Sequence, residues 1–172
     1  MTTASAELLT DAFDRIREQV HAVLDGLDPK RLAARLDADA NSIGWLVWHL
    51  TRIQDDHLAD AAGTDQLWTG GGWRERFGLP YSAGATGYGH SSAEVGEFKD
   101  VPAKALAGYH DAVHERTVGY LGGLSDQDLT RVVDDSWDPP VTLAVRLVSV
   151  LSDDLQHVGQ AALLRGLLAD RA

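Results

Sequence analysis

Cysteine is absent from this sequence of 172 residues. That excludes disulfides, thiolate metal sites and a cysteine nucleophile, so any thiol chemistry needs a thiol from outside the chain. Positive charge is scarce: 15 Lys and Arg stand against 26 Asp and Glu, for a formal net charge of −11. No basic stripe is present to neutralise phosphates, which argues against nucleic acid or an anionic membrane as a partner. Long apolar runs are missing too, and none approaches the roughly 18 residues that span a bilayer. The opening stretch MTTASAELLTDAFDR has no basic segment followed by an apolar one. A secretory signal is therefore not expected, and the cytoplasm is the expected location. Strand-type alternation and internal repeats are lacking as well.

What is present is ordinary for a soluble domain: 44 % hydrophobic and 24 % charged residues. The length suggests one domain over residues 1–172 with a sizeable core. Four long helices are predicted. The first covers about residues 4–26, where Phe13, Ile16, Val20, Val23 and Leu24 recur at helical spacing. Asp28-Pro29 reads as a cap with proline at the first helical position, opening a short helix. Asn41 or Ser42 caps the second long helix, which runs to about Ala62. The third starts near Pro102 and stops at Gly122-Gly123. Thr142 caps the fourth, after the break at Asp138-Pro139-Pro140.

Between the second and third long helices lies a glycine-rich segment, about residues 63–100, that also holds Trp68, Trp73, Phe77, Tyr81 and Tyr88. Connections this long are uncommon in a compact domain and are often functional. Two readings stand side by side: a flap that covers a site, and a loop whose aromatics plug the edge of the core. A long connection also lets the two helices it joins run parallel.

The chemistry-bearing residues cluster on two helices. Asp153 and His157 are four apart, so they share a helix face and can grip one divalent ion. Val150, Leu151, Leu155 and Val158 flank them, which predicts a buried segment, and a buried carboxylate needs a partner. Asp154, three residues before His157, shares the face equally well, and spacing does not choose between them. His49 lies in an apolar run of the second long helix (NSIGWLVWHLTRIQDDHL). It is either a core histidine or the third ligand that completes a tripod. Arg52, Asp56 and His57 extend a polar stripe down the same helix, as a cavity wall or a solvent face. His110 and His114 form a second pair four apart, but Asp111, Glu115 and Arg116 around them predict a mostly exposed face, with one of the two reaching the site. His21 and His90 have no local support. No G-x-S-x-G elbow occurs, and the glycines at 70–72 lack the Lys-Ser/Thr of a phosphate loop, so serine hydrolysis and nucleotide binding are set aside.

Three pieces resemble the DinB-like superfamily: Trp48-His49-Leu50, the D-x-x-x-H of Asp153 and His157, and the H-x-G-Q of His157-Val158-Gly159-Gln160. More narrowly, the chain is similar to the branch near mycothiol-dependent maleylpyruvate isomerase and related thiol S-transferases. The resemblance implies an all-α four-helix bundle, up-down-down-up, with a long crossover between the second and third long helices. It also implies a metal at one end of the core, with His49, Asp153 and His157 on the ligand positions. Many members carry histidine where this chain has Asp153, and those near the isomerase carry glutamate.

The implied activity is that of a metal-dependent enzyme using a low-molecular-weight thiol such as mycothiol on a small electrophile, by S-transfer or isomerisation. Zn²⁺ is the expected ion, with Ni²⁺ and Fe²⁺ as alternatives. The ion would lower the thiol pKa and yield a thiolate at neutral pH. Gln160, one turn beyond His157, is placed to orient a ligand. Arg52, Asp56 and His57 are the candidates for substrate contact or proton transfer. Two other functions use the same residues: a non-haem iron oxygenase with a two-histidine, one-carboxylate triad, and a non-catalytic metal-binding or stress-response bundle. A homodimer formed through helix faces is compatible with each.

Overall fold

A computed structural model describes residues 2–169. Helix α1 spans Ala4–Leu24, capped by Thr3, whose hydroxyl accepts from the Ala6 amide at 3.2 Å. Its Phe13, Ile16, Val20 and Val23 face inward and are buried. Helix α2, Pro29–Ala33, is capped by Asp28 with proline at its first position. Ser42 caps α3, Ile43–Ala62, and Gly63 in the left-handed region ends it at φ 66°. Helix α7 spans Ala103–Gly122 and α8 Leu143–Ala169. These four long helices fall where the periodicity puts them. Among the described residues none is long and apolar enough to cross a membrane.

Helix α3 is the centre of the molecule, with every side chain from Ile43 to Asp55 buried. It packs against α8 and α7, while α1 packs against α7 and α8. Polar residues on so enclosed a helix must find partners or serve a site.

The segment after α3 holds three short helices, α4 (Leu67–Gly70), α5 (Trp73–Phe77) and α6 (Ser92–Gly96). Trp68, Phe77, Leu79, Tyr81, Val95 and Phe98 all join the core. Phe98 lies over Gly44, where a Cβ would strike its ring. A buried ion pair ties the segment down. Arg52 and Asp55 lie 3.5 Å apart on α3. Asp55 accepts from the amides of Leu67 and Trp68 at 2.9 and 2.8 Å, capping α4 from a distance. Arg52 donates to the Ala85 carbonyl at 3.0 Å and to Gln66 Oε1 at 2.9 Å. Trp68, Phe77 and Tyr81 thus plug the core edge with Trp73 packed against it, Tyr88 stays exposed, and the stretch from Ala85 to Gly87 lies over part of α3.

One element differs from expectation. Between α7 and α8, β1 (Val132–Asp134) and β2 (Val141–Thr142) form an antiparallel pair, with Val132 opposite Thr142. Strands of three and two residues are too short to show an alternation in sequence.

Candidate metal centre

Helices α3 and α8 run antiparallel, which brings His49 beside Asp153 and His157. Ligand atoms of these three residues lie within 4.8 Å of one another. His49 is buried, and the other two are half-buried. His157 Nε2 is 3.5 Å from Asp153 Oδ1, and the two imidazole rings meet edge to face at 4.8 Å between centroids. The packing of α3 on α8 thus brings together the three side chains whose proximity spacing left open.

Each histidine has one nitrogen already committed. His49 Nδ1 donates to the Thr86 carbonyl at 2.6 Å. His157 Nδ1 donates to Gln160 Oε1 at 2.9 Å. Those bonds fix the tautomers and leave both Nε2 atoms free to act as ligands. Asp153 Oδ2 is buried and has no hydrogen-bond partner among the described residues. Such an oxygen is costly unless a cation sits beside it. Two imidazoles and a carboxylate suit Zn²⁺, Ni²⁺ or Fe²⁺. The residues present therefore fit a divalent ion. Burial lowers the His49 pKa, and the nearby His157 lowers it further, so this ring is neutral and ready to coordinate. The Asp153 carboxylate, as acceptor beside the ring, raises that of His157.

The crossover holds His49 in place. Gly87 sits at φ 95°, and a Cβ there would come within 2.7 Å of His49 Nδ1 and 3.0 Å of the Trp45 and Trp48 rings. Trp45 stacks on the His49 imidazole with centroids 4.8 Å apart. On its far side Trp45 Nε1 donates to His90 Nδ1 at 3.3 Å. His90 in turn rests against Trp48 and Tyr81. Little near His90 in sequence signals this, because Trp45 and Trp48 come from α3, some forty residues earlier.

A model of the mycothiol S-transferase family matches residues 8–170. The chain belongs to this DinB-like family. A crystal structure of a conserved protein from Enterococcus faecalis is similar over 99 % of each chain, with a TM-score of 0.91 and 28 % identity. No curated protein matches. The resemblance read from Trp48-His49-Leu50 and from the α8 motifs is thus confirmed, as is a helical DinB-like fold.

Family membership leaves the other candidate residues to be placed by geometry. Arg52 has no exposure to solvent, and its guanidinium is occupied by the crossover. Asp56 and His57 are about one-third exposed and lie further along the α3–α8 seam. Asp56 Oδ1 accepts from Gln66 Nε2 at 2.6 Å, and His57 Nδ1 accepts from Arg146 at 3.2 Å.

Two expectations about burial are corrected. Leu155 is 53 % exposed, so the flanking apolar residues do not bury the Asp153–His157 pair as a unit. Asp154 is instead the fully buried carboxylate, and neither of its oxygens has a hydrogen-bond partner among the described residues. One residue turns a helix by about 100°, enough to move Asp154 from the seam into the core. Burial, then the charge of Asp153, raises its pKa well above the usual carboxylate range. Its carboxyl is not among the atoms that gather with His49 and His157.

The second correction concerns His110 and His114, which do not form an exposed face. His110 is 1 % exposed and donates from Nδ1 to Thr51 Oγ1 at 3.1 Å. His114 Nε2 binds Asp14 on α1 at 2.7 Å. Neither joins the His49 group. Burial, with a smaller contribution from His114, pushes the His110 pKa down to about 3. The unfolded chain takes up this proton near pH 6.5 and the folded chain does not. Stability is therefore present above about pH 6.5 and is lost as pH falls toward 3, at up to about 1.4 kcal/mol per unit. Urea midpoints of wild type and His110→Gln, measured from pH 7 to 4.5, should converge or cross as pH falls. Parallel curves would mean that His110 finds a partner for its charge.

Proposed function

We propose that the chain is a metal-dependent thiol S-transferase, with His49, Asp153 and His157 as ligands of Zn²⁺ and a mycothiol-type thiol as cosubstrate. The scaffold is an up-down-down-up four-helix bundle with the crossover between α3 and α7. The observation that carries this reading is the donor set itself: two tautomer-fixed imidazoles and an orphaned carboxylate oxygen within 4.8 Å, in a chain of the mycothiol S-transferase family. A bound Zn²⁺ supplies a Lewis acid that lets a thiol lose its proton near neutral pH. The chain has no thiol of its own, consistent with an external one. In the transfer the thiolate sulfur forms a bond to the electrophilic carbon, and the leaving group departs with its electron pair. An electrophile isomerised by addition follows the same first step and later expels the sulfur.

The chain's own residues orient and shield. Thr86 and Gln160 hold the two imidazoles, so Gln160 acts through His157. Trp45 and the loop at Gly87 close one side of His49 against water. Asp56 and His57, further along the seam, are proposed to contact the substrate rather than to move a proton at the metal centre. Arg52 acts through the crossover that it clamps.

Protein freed of metal with a chelator, then reloaded with zinc, tests the reading. With mycothiol and a panel of electrophiles, thiol consumption is expected to fall at least 10²-fold on metal removal and to return with zinc. No transfer to any electrophile by the loaded protein would sink the proposal. Oxygen uptake on Fe²⁺ loading would point instead to the oxygenase suggested by the same two-histidine, one-carboxylate set.

A further inference from the structure

The α3–α8 seam continues past the metal centre. His49 lies beside His157 at one point, and His57 accepts from Arg146 at another. Eight residues of α3 and seven of α8 (Asp153 back to Arg146) separate the two places, a distance of about 10–12 Å. There a cleft of about 420 Å³ opens, lined by Asp56, His57, Asp60, Thr64, Gln66 and Arg146. That volume suits a small-molecule moiety.

The lining selects by charge. Two carboxylates face one guanidinium, and that guanidinium already pairs with Asp134 at 3.0 Å. An anionic group entering here meets a net repulsion. Accepting from Arg146 fixes His57 as the neutral tautomer with its proton on Nε2. Burial first and Arg146 second hold its pKa down. Asp56 keeps Oδ2 unshared apart from the His57 ring 3.9 Å away, and Asp60 and Thr64 are exposed. Carboxylate acceptors, a hydroxyl and an N–H donor at close quarters complement neighbouring hydroxyl groups.

We propose that this cleft is the subsite for a neutral, hydroxyl-rich portion of the thiol cosubstrate, about 10–12 Å along the seam from His49 and Asp153. The proposal rests on the thiol reading of the metal centre. A cysteinyl thiol carried on a sugar–cyclitol unit, as in mycothiol, has this form. Thiols that end in carboxylates or phosphates are disfavoured by Asp56 and Asp60.

The test separates the cleft from the transferase reading by using a probe without sulfur. N-acetylglucosaminyl inositol is titrated into zinc-loaded wild type and Asp60→Ala, followed by NMR at the His57 ring and the Gln66 side-chain amide. The expected result is saturable shifts at both, with affinity about tenfold weaker in Asp60→Ala and zinc content unchanged. myo-Inositol 1-phosphate should bind more weakly than the neutral probe. Absence of shifts at His57 and Gln66, equal affinity in the variant, or preference for the phosphate would each overturn the subsite. Transfer of mycothiol with no probe binding would leave the transferase reading standing and remove the cleft. Probe binding weakened about tenfold in Asp60→Ala, with no thiol transfer, would keep the cleft as a polyol site and remove the transferase.

Discussion

Replacing His157 with alanine is expected to abolish metal binding. Zinc-loaded wild type should retain about one equivalent after desalting, and the variant less than a tenth of that. A structural zinc site of four ligands contributes roughly 10–16 kcal/mol of binding free energy, so one ligand is worth about 2.5–4 kcal/mol and its loss about 10²–10³ in affinity. The chain should still fold. His157 is half-buried, its hydrogen-bond partner Gln160 is exposed, and alanine suits a helix interior. Metal-free wild type and variant should therefore melt within a few degrees of each other. Elemental analysis and competition with a chromogenic chelator check the result. Asp154→Asn is the control, because the core carboxyl is not among the proposed ligands. If zinc were retained in His157→Ala and lost in Asp154→Asn, the ligand set would be wrong.

That control exists because the sequence left Asp153 and Asp154 equivalent. Both share a helix face with His157, and only the packing of α8 on α3 tells which carboxylate faces the seam. The same limit explains His110 and His114. Their spacing is the same as that of Asp153 and His157, and their neighbours are more polar, yet His110 ends in the core and His114 on α1. Helix existence, by contrast, was legible from local signals. Ser42 and Gly63 bracket α3, Asp28-Pro29 opens α2, and Thr142 directly precedes α8. The two short strands left no trace, because three residues carry no period. Thr86, Gly87 and His90 were invisible as parts of the site. Each meets His49 or Trp45 across some forty residues, and nothing in a lone glycine says that an imidazole lies against it. Arg146 was hidden likewise, since its meaning comes from His57 and Asp134.

Gly87→Ala is expected to weaken zinc binding although residue 87 offers no ligand. Two costs arise there. A positive φ of 95° strains any residue with a Cβ, at about 1–3 kcal/mol. The new methyl also needs space filled by His49 Nδ1, Trp45 and Trp48. Tryptophans enclosed in a packed core give little ground, so the loop must lift. Lifting it draws the Thr86 carbonyl away from His49 Nδ1 and frees the ring to rotate. Loss of such an orienting hydrogen bond lowers metal affinity about 10–100-fold. Gly89→Ala separates the two effects. Gly89 has φ 74° but open space around its Cβ position, so that variant carries the backbone strain without the collision. The expected pattern is a lowered melting temperature in both variants and weakened zinc affinity in Gly87→Ala alone. Equal affinities in the two would mean that the loop does not hold His49, and that the ring is oriented by Trp45 stacking instead.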